Sequence, residues 1–563
     1  MSNLIEAAKK EISALIGAAY EAACDKGTLP AGTELGGTVE IPKDPSLGDY
    51  ACSCAMTAAK SMRMPPRKIA EALIDCLSLE GSIFRSAEAA GAGFINFRLS
   101  DEWYGRVLAD VEKEGSDYGR IDEGRGQRVM VEFVSANPTG TMTIGNARGG
   151  VLGDAMASVL EKAGYDVWRE FYVNDAGHQV EMFARSVEAR YIQMLRGENA
   201  CEFPEDGYHG EDIKEIAKLF YEKYGDAYLN GDEEKRRGDM MRFGIEYNIE
   251  KMRRDLERYG IKYDLWFRES SLHESGYVAE TVELLSKAGY TYEKDGALWF
   301  ELTRFGAEKD EVLRRSNGFY TYYAVDMAYH RNKFIERGFD KVINVWGADH
   351  HGHALRFHKS LPALGIDPDR LHFLIMQLVR LMRDGETVKV SKRTGKAIAL
   401  SDLLDEIPKD AARFFFNAKP DTHLDFDMDL AVRRDSENPI YYVQYAHARI
   451  CSLCRNMAQE GVPVIPASET DASLLDSDVE HELIKQIALL PEEIRLAARD
   501  YDPSRINRYL IELASRFHRF YGAKRIQGEQ RAVAEARLKL ADCVRIAAAN
   551  ALAILGVDAP DRM

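Results

Sequence analysis

The sequence predicts a multidomain α/β protein: an N-terminal α+β domain, a central domain on a parallel β-sheet with a helical insertion, and a C-terminal α-helical bundle. The 563 residues suffice for about three to five domains of ordinary size. Strand-like apolar runs alternate with helical periodicity through the centre of the chain. From about residue 438 onward the pattern is almost wholly helical.

Composition narrows the class of protein further. Hydrophobic residues make up 45% and charged residues 29% of the chain, which is typical of a folded soluble protein. The net charge of -17 weakens non-specific attraction to polyanions, so a nucleic-acid site has to be local. The eight cysteines show no disulfide-dense spacing, and no apolar run reaches roughly 18 residues. We therefore expect a cytoplasmic protein that neither spans a membrane nor binds DNA.

The predicted N-terminal domain covers residues 1–115. It begins with a helix, followed by a short strand at 38–41, a helix at 66–77 and an alternating strand at 93–99. Residues 115–128 are rich in glycine and charge, which is typical of a linker or long loop. The other predicted domains are residues 116–437 and 438–563, divided where the helical pattern takes over.

The central domain shows strand, helix and strand in succession. A β-branched run at 129–134 precedes a helix whose apolar residues recur at helical spacing, and a second strand follows at 167–173. This order predicts a parallel sheet. The charge-rich, mostly helical stretch of about 200–300 is predicted to be an insertion, because strand patterns return at 298–302, 341–346 and 371–378.

The segment 129–179 carries the most chemical information, because it couples a strand to a glycine-bearing helix start. A helix N-terminus at the carboxyl end of a parallel strand is suited to binding an anion such as a triphosphate. The glycines of this helix would allow close approach of a ligand, or alternatively tight packing on the sheet: Gly145, Gly149, Gly150 and Gly153. Neither a phosphate-loop motif nor G-x-G-x-x-G opens the helix, which disfavours P-loop kinases and ordinary dinucleotide enzymes.

Motifs in this segment resemble the first signature of class I aminoacyl-tRNA synthetases in its arginyl-specific setting. They are Ser135-Ala136-Asn137-Pro138-Thr139-Gly140, Thr143-Ile144-Gly145-Asn146 in place of the HIGH tetrapeptide, Arg148, and Tyr172-Val173-Asn174-Asp175-Ala176-Gly177-His178-Gln179. The resemblance implies a Rossmann-like catalytic domain whose ATP contacts include Pro138, Thr143, Ile144, Gly145 and Asn146. Both signature histidines are replaced, and Thr143 and Asn146 can donate hydrogen bonds but cannot carry positive charge.

A second basic motif lies between residues 380 and 400. Lys389-Val390-Ser391-Lys392-Arg393 resembles the KMSKS pentapeptide, within a stretch, 380–396, of six basic and two acidic residues. The resemblance implies that Lys389, Ser391 and Lys392 act in catalysis, stabilising the pyrophosphate leaving group. A solvated basic loop is the alternative for the lysines taken alone.

An arginine pocket is implied by the same resemblance. Tyr322 and Asp326 are four residues apart and share a helix face, where a carboxylate can grip a guanidinium and a ring can stack on it. Glu132, Ser135, Asn137 and His350 complete the implied arginine contacts, and Gly347 and Asp349 join the ATP contacts. Alone, Tyr322 could be a core aromatic and Asp326 a surface charge. The histidines at 350–358 permit a zinc interpretation, which lacks a metal-site spacing, and we assign no metal ligands.

Two regions resemble the tRNA-contacting domains of the same family. Tyr441 and Tyr445 could stack on unpaired bases, although a core role is at least as plausible for some of these aromatics. Basic residues are implied as further contacts to tRNA: Arg63, Arg67 and Lys68 near the N-terminus, and Arg516, Arg519, Lys524 and Arg525 near the C-terminus. The C-x-x-C of Cys451 and Cys454 is expected to be buried thiols on a helix face rather than zinc ligands.

The resemblance to arginyl-tRNA synthetases thus covers nearly the whole chain. It implies ATP-dependent activation of L-arginine with Mg²⁺, transfer to the terminal ribose of arginine tRNA, and a requirement for bound tRNA in activation. We separately expect a monomer. A non-catalytic tRNA-binding paralogue, which has lost adenylation with the two histidines, is the principal alternative. Another class I synthetase, for instance one for cysteine, and a zinc hydrolase are weaker alternatives.

Overall fold

The computed structural model describes residues 3–388, 398–420 and 422–563, so the predicted Lys389, Ser391 and Lys392 lie outside the described residues. The first strands form an antiparallel sheet, in the order β1-β2-β4-β3, flanked by helices. This agrees with the predicted N-terminal α+β fold. The elements are α1 (Leu4–Asp25), β1 (Val39–Glu40), β2 (Tyr50–Cys52), α2 (Cys54–Met62), α3 (Pro66–Ile74), β3 (Phe84–Ala90), β4 (Phe94–Leu99) and α4 (Asp101–Glu114).

A five-stranded, wholly parallel sheet forms the centre of the molecule, in the order β12-β11-β5-β6-β7. Its middle strand β5 is apolar and buried because helices cover both faces of such a sheet. The strands and helices in chain order are β5 (Arg128–Glu132), α5 (Ile144–Lys162), β6 (Asp166–Val173), α6 (His178–Arg196), α7 (Glu211–Tyr224), α8 (Glu233–Arg258), β7 (Leu265–Arg268), α9 (Glu269–Glu274), α10 (Tyr277–Lys287), β8 (Thr291–Lys294), β9 (Ala297–Phe300), β10 (Glu311–Arg314), α11 (Tyr322–Arg331), β11 (Lys341–Gly347), α12 (His351–His358) and β12 (Leu371–Met376).

Two details differ from the sequence-based expectation. The strand expected at 298–302 does not join the parallel sheet, because β9 pairs with β8 and β10 in a separate antiparallel sheet. Conversely, the stretch 200–300 contributes the edge strand β7 to the parallel sheet. With only four residues, β7 is too short to show a period of two in a helix-rich, charged context.

A smaller sheet follows the parallel one and leads into the C-terminal bundle. It contains β13 (Val379–Arg383), β14 (Glu386–Val388) and β15 (Leu424–Asp427), in the order β14-β13-β15. The helices beside and after it are α13 (Leu400–Glu406), α14 (Lys409–Phe416), α15 (Met428–Val432), α16 (Pro439–Gln459), α17 (Asp478–Ala488), α18 (Leu490–Asp500), α19 (Ser504–Ala523) and α20 (Arg531–Ile554). The predicted helical C-terminal region is thereby confirmed. In the described part of the chain, no helix is both long and apolar enough to cross a membrane.

The N-terminal and C-terminal parts of the chain touch each other directly. Glu492 accepts hydrogen bonds from Lys9 at 3.2 Å, Asn3 at 3.4 Å and Arg495 at 2.8 Å. Burial raises its pKa, but the bond from Arg495 and the charge of Lys9 outweigh burial and lower the pKa of Glu492 to about 2. Lys539 pairs with Glu112 at 2.5 Å in the same interface. The two ends of the sequence are therefore held together through ion pairs.

Candidate active site

Sheet topology determines where the site lies. The chain leaves the central strand β5 toward β6 on one side, and later returns to its other side at β11. In such a sheet, ligands bind at the carboxyl ends of the strands where the winding direction reverses. Glu132 ends β5 and Gly347 ends β11, and both line one cavity of about 1160 Å³. The cavity runs from the start of α5 to the face of α11.

The start of α5 forms one end of this cavity. Thr143 is the N-cap residue, and its side chain accepts a 3.3 Å hydrogen bond from the Asn146 backbone N–H. Asn146 Oδ1 in turn accepts from the Thr143 backbone N–H at 2.9 Å. The two residues that replace the signature histidines therefore form a reciprocal capping box. Since Oδ1 serves the cap, the Nδ2 amide is the group of Asn146 that can donate to a ligand.

The glycines of α5 serve two different purposes, ligand access and helix packing. A Cβ at Gly145 would meet only Thr143 Oγ1, at 3.5 Å, so its backbone is open toward the cavity, whose wall includes Gly145. A Cβ at Gly153 would lie 2.2 Å from the Phe133 ring, and one at Gly150 would lie 2.9 Å from Ile261. Gly150 and Gly153 thus serve tight packing, whereas Gly145 leaves space for a ligand.

The backbone just before α5 is joined to the residues that follow the second basic motif. Thr143 pairs with Ala399 in an antiparallel bridge, and the Leu400 N–H donates to the Met142 carbonyl at 2.9 Å. Buried Arg148 donates to the Gln377 carbonyl at 2.7 Å, and Gln377 itself lines the cavity. These contacts hold two backbone segments, one before and one after residues 389–397, against the start of α5.

Three carboxylates line the other end of the cavity: Glu132, Glu269 and Asp326. Asp326 Oδ2 lies 2.7 Å from His353 Nε2, which leaves Oδ1 as the oxygen that a ligand can use. Glu269 is only 3% exposed, and its carboxylate lies 3.7 Å from His273 Nε2. A cation entering this end of the cavity would find carboxylates that are only partly neutralised.

Glu132 belongs to a buried hydrogen-bond network that reaches α11. Lys333 Nζ, fully buried on a π-helical turn after α11, donates to Glu132 at 2.5 Å and to Asn344 Oδ1 at 3.1 Å. Asn344 Nδ2 lies 2.8 Å from His330 Nε2, and His330 Nδ1 lies 2.8 Å from the Asp326 carbonyl. Burial and then the charge of Lys333 lower the pKa of His330 well below its ordinary value. A neutral His330 therefore accepts from Asn344 and donates to Asp326.

The turn after β5 aims Ser135 into the cavity. Val134 and Ser135 both have positive φ, 70° and 46°, a conformation that a β-branched residue rarely adopts. In this conformation Ser135 Oγ donates to Glu132 Oε1 at 2.8 Å and accepts from the Tyr172 N–H at 3.2 Å. Asn137 Nδ2 donates to Gln179 Oε1 at 2.5 Å on the same wall. Strained backbone at this point is consistent with a functional site.

Most of the described site residues predicted from the sequence meet at this cavity. Its walls contain Glu132, Ser135, Asn137, Thr143, Gly145, Asn146, Tyr322, Asp326, Gly347, Asp349 and His350. Tyr322 is 58% exposed and so is not a core aromatic. Pro138 and Ile144 lie elsewhere: Pro138 is buried, with its carbonyl accepting from Asn248 at 2.8 Å, and Ile144 packs against the core.

Several wall residues were missed by sequence reasoning. The clearest is Glu269, which directly follows β7 and would have been found had that strand been recognised. His353 and Trp346 also line the cavity, with their rings stacked at 5.5 Å between centroids. Tyr208 and His209 reach the wall from the stretch predicted as an insertion, where no sequence pattern indicated it. Among the described residues, the histidines at 350–358 do not converge into a metal-binding cluster.

The residues predicted to contact tRNA lie on two separate surfaces. Arg63, Arg67 and Lys68 are exposed around the start of α3, although Arg67 forms a 3.1 Å ion pair with Glu71. The rings of Tyr441 and Tyr445 are parallel on α16, with centroids 6.1 Å apart. Arg519 and Arg525 are exposed and Lys524 is half-buried on and just after α19, where Phe517 and Phe520 pack inside. Arg516 is engaged by Glu482 and Glu512, and so it is less available than its neighbours.

Three protein-family models match successive parts of the chain. They are the arginyl tRNA synthetase N terminal domain over residues 6–99, the catalytic domain of class I (R) tRNA synthetases over 109–436, and the DALR anticodon binding domain over 443–563.

Relatives that match over the full length of the chain point to the same family as the three family models. The chain is 52% identical to an arginine–tRNA ligase of Acetivibrio thermocellus and 49% identical to one of Ruminiclostridium cellulolyticum, each over 100% of both chains. It shares its fold with the Thermus thermophilus arginyl-tRNA synthetase, with a TM-score of 0.74 and 23% identity over 98% of this chain and 100% of that one. The chain belongs to the arginyl-tRNA synthetase family.

Proposed function

We propose that this chain joins L-arginine to arginine tRNA, and that it does so in the cavity between α5 and α11. Arginine's carboxylate attacks the α-phosphate of ATP to give arginyl-adenylate and pyrophosphate; the terminal ribose hydroxyl of the tRNA then takes the arginyl group and releases AMP. The observation that supports this best is the pairing, in one cavity, of an anion-binding helix start with a wall of three carboxylates.

We assign the guanidinium end of arginine to the carboxylate wall. Asp326 presents Oδ1, Glu269 is buried with His273 Nε2 at 3.7 Å, and Tyr322 offers an exposed ring on the helix face of Asp326. A planar guanidinium can bond carboxylates through parallel N–H groups and stack on an aromatic ring. Glu132 is already paired with Lys333, so its contribution to arginine binding is smaller than that of Asp326. Ser135, Asn137 and His350 are assigned to the substrate's backbone end.

We assign the phosphates of ATP to the start of α5. The Gly145 backbone and the Asn146 amide supply neutral donors there, and the helix N-terminus supplies partial positive charge. Thr143 is assigned mainly to holding Asn146 in place. Gly347 and Asp349, on the same wall, are the proposed contacts to adenosine. Lys389, Ser391 and Lys392 are proposed to stabilise the pyrophosphate as it leaves.

ATP is proposed to enter as its magnesium complex. Mg²⁺ keeps several waters and is commonly held through substrate phosphates. Asn146 carries a neutral amide, so we assign it a hydrogen bond to a phosphate oxygen and leave the ion's ligands to phosphate and water. The protein is further proposed to act as a monomer in the cytoplasm, with tRNA contacts on α3, α16 and α19.

The non-catalytic paralogue is not favoured. Relatives identical at about half of all positions over the whole chain carry the name of the ligase. The capping box also shows that replacing both histidines has left an ordered helix start with a free amide donor. A cysteine-specific or zinc-dependent enzyme finds no support in a carboxylate-lined cavity.

The test is arginine-dependent ATP–pyrophosphate exchange, with and without arginine tRNA, alongside charging of that tRNA with labelled arginine. Exchange that needs tRNA, together with charging, supports the proposal and the family's tRNA requirement. Tight tRNA binding without exchange under either condition overturns it in favour of the paralogue. Lysine and citrulline serve as matched amino-acid controls, because they alter the cation that the carboxylate wall has to bind.

A further inference from the structure

The C-terminal tail lies along one face of α16, far in sequence from the helix that it contacts. Gln444 Nε2 donates to the Asp558 carbonyl at 2.9 Å, and His447 Nδ1 lies 3.0 Å from the Pro560 carbonyl. One turn later Cys451 Sγ lies 3.4 Å from Asp561 Oδ1. These helix residues follow each other at spacings of three and four, so they share one face of α16. The tail is thus bound in a fixed register along the helix.

Three side chains in this contact bring metal-binding atoms together: His447, Cys451 and Asp561. Their nitrogen, sulfur and oxygen atoms all lie within 4.8 Å of one another, and His447 and Cys451 are buried. Cys451 Sγ is 3.7 Å from His447 Nδ1 and 3.4 Å from Asp561 Oδ1.

We propose that His447, Cys451 and Asp561 bind a zinc ion that fastens the C-terminal tail to α16. Tetrahedral zinc with bonds of about 2.3 Å to sulfur and about 2.0–2.1 Å to nitrogen and oxygen holds its ligands about 3.5 Å apart. The two separations from Cys451 fall on either side of that value. Both contacts of Cys451 thus match zinc spacing, and the third pair, His447 with Asp561, lies within 4.8 Å.

The ligand set also suits zinc chemically. Thiolate, imidazole and carboxylate are the ordinary zinc ligands, and the Cys451 proton leaves to solvent when the sulfur binds the metal. Zn²⁺ with one thiolate and one carboxylate is neutral overall, which suits a site beside Arg455, whose guanidinium donates to the Asp561 carbonyl at 3.1 Å. Once Nδ1 binds metal it no longer donates to Pro560, so that carbonyl or a water is available for the fourth position.

The sequence did not indicate this site because its third ligand is 110 positions away from Cys451. Cys454, the other half of the C-x-x-C, is outside the cluster, although it lies one turn along the same helix. Cys454 is therefore a matched control for Cys451. Both are cysteines on the same helix, and replacing either one by serine adds neither charge nor volume.

The experiment measures metal bound to the untagged full-length protein after dialysis against zinc and then against metal-free buffer. We expect about one zinc per chain, and after replacement by Co²⁺ we expect a thiolate-to-cobalt absorption band. Cys451→Ser is expected to lose the band, and Asp561→Asn to show it only at higher cobalt concentration. Both should weaken zinc binding on the order of tenfold or more, whereas Cys454→Ser should keep the band and the affinity. Since Asp561 is exposed, Asp561→Asn is expected to fold normally.

A second measurement follows the tail directly. Zinc should slow the release of Met563 by a non-metal carboxypeptidase in the unmodified protein and in Cys454→Ser, but not in Cys451→Ser. The proposal would be overturned if the unmodified protein bound no more zinc than Cys451→Ser. It would also be overturned if Cys451→Ser and Cys454→Ser lost zinc binding to the same extent. Circular dichroism and thermal unfolding, measured on every variant, show whether each protein is folded.

Discussion

The two ends of the active-site cavity are built in different ways. The end at α5 is assembled from neighbours in the sequence: Thr143 and Asn146 cap each other across three residues. The end at α11 brings together side chains from β5, α9 and α11, and a buried lysine and a histidine partner its carboxylates. A short signature can therefore specify the phosphate end, whereas the arginine end depends on the whole fold. Substitutions at the two ends should therefore differ in what they change: stability and arginine binding at α11, phosphate chemistry at α5.

The largest effect is expected from Lys333→Met, which breaks the buried pair at the arginine end. Glu132 would remain as an uncompensated buried carboxylate, and we expect the free energy of unfolding to fall by about 3–5 kcal/mol. Urea unfolding measures this change. The double variant Glu132→Gln with Lys333→Met should recover much of the loss; a double variant as unstable as Lys333→Met would show that packing, rather than charge, dominates at this position.

Asp326→Ala should affect substrate binding more than stability. Removing this carboxylate leaves a guanidinium without its partner, and kcat/KM for arginine should fall on the order of 10³-fold, mainly through KM. Steady-state charging at varied arginine measures it. In Asp326→Asn, which keeps the side-chain shape and one oxygen, kcat/KM for arginine should fall less. The KM for ATP should change little in either variant. An unchanged arginine KM in Asp326→Ala would remove this residue from the pocket.

Asn146→Ala probes the phosphate end. If the Nδ2 amide donates to a phosphate, turnover should drop about 10²-fold, as for loss of one preorganised donor. Asn146→Asp separates the two roles of this residue, because a carboxylate can still accept from the Thr143 N–H but cannot donate. Turnover retained in Asn146→Asp would show that capping, rather than phosphate contact, is the contribution of Asn146.

Thr143→Ala should give the smallest change. It removes the side-chain cap of α5, which is worth about 1 kcal/mol of stability, and thermal unfolding measures this. Thr143→Ser, which keeps the hydroxyl, should be close to the unmodified protein in stability and turnover. A much larger loss of turnover in both variants than in Asn146→Ala would reverse the assignment of Thr143 as a positioning residue.

The sequence allowed the fold class and much of the described cavity wall to be predicted, and the reasons can be traced to particular residues. The strand at 129–134 and the helix after it had clear periods, and the signature residues from Ser135 to Arg148 lay within fifteen positions of each other. Tyr322 and Asp326 followed from a local pattern on one helix. Each of these features depends on short-range spacing, which a sequence shows directly.

The features that could not be predicted depend on long-range packing. No local pattern singled out Lys333, which a π-helical turn buries against Glu132, 201 residues earlier. Glu269 was hidden because β7 is too short to be recognised. Lys389, Ser391 and Lys392 remain predictions, because they lie outside the described residues. The domain boundaries at 115 and 437 also remain predictions.

The contact between the two ends of the chain has a practical consequence for dividing this protein into pieces. Glu492, on α18, holds both Asn3 and Lys9, and Glu112 holds Lys539. Cutting the chain near residue 438 would therefore remove Lys9 and Asn3 from Glu492, which would keep only Arg495 as its cationic partner, and would separate Glu112 from Lys539. An isolated anticodon-binding fragment would therefore carry Glu492 without Lys9 and Lys539 without Glu112, and it should be less stable than the same region in the whole chain.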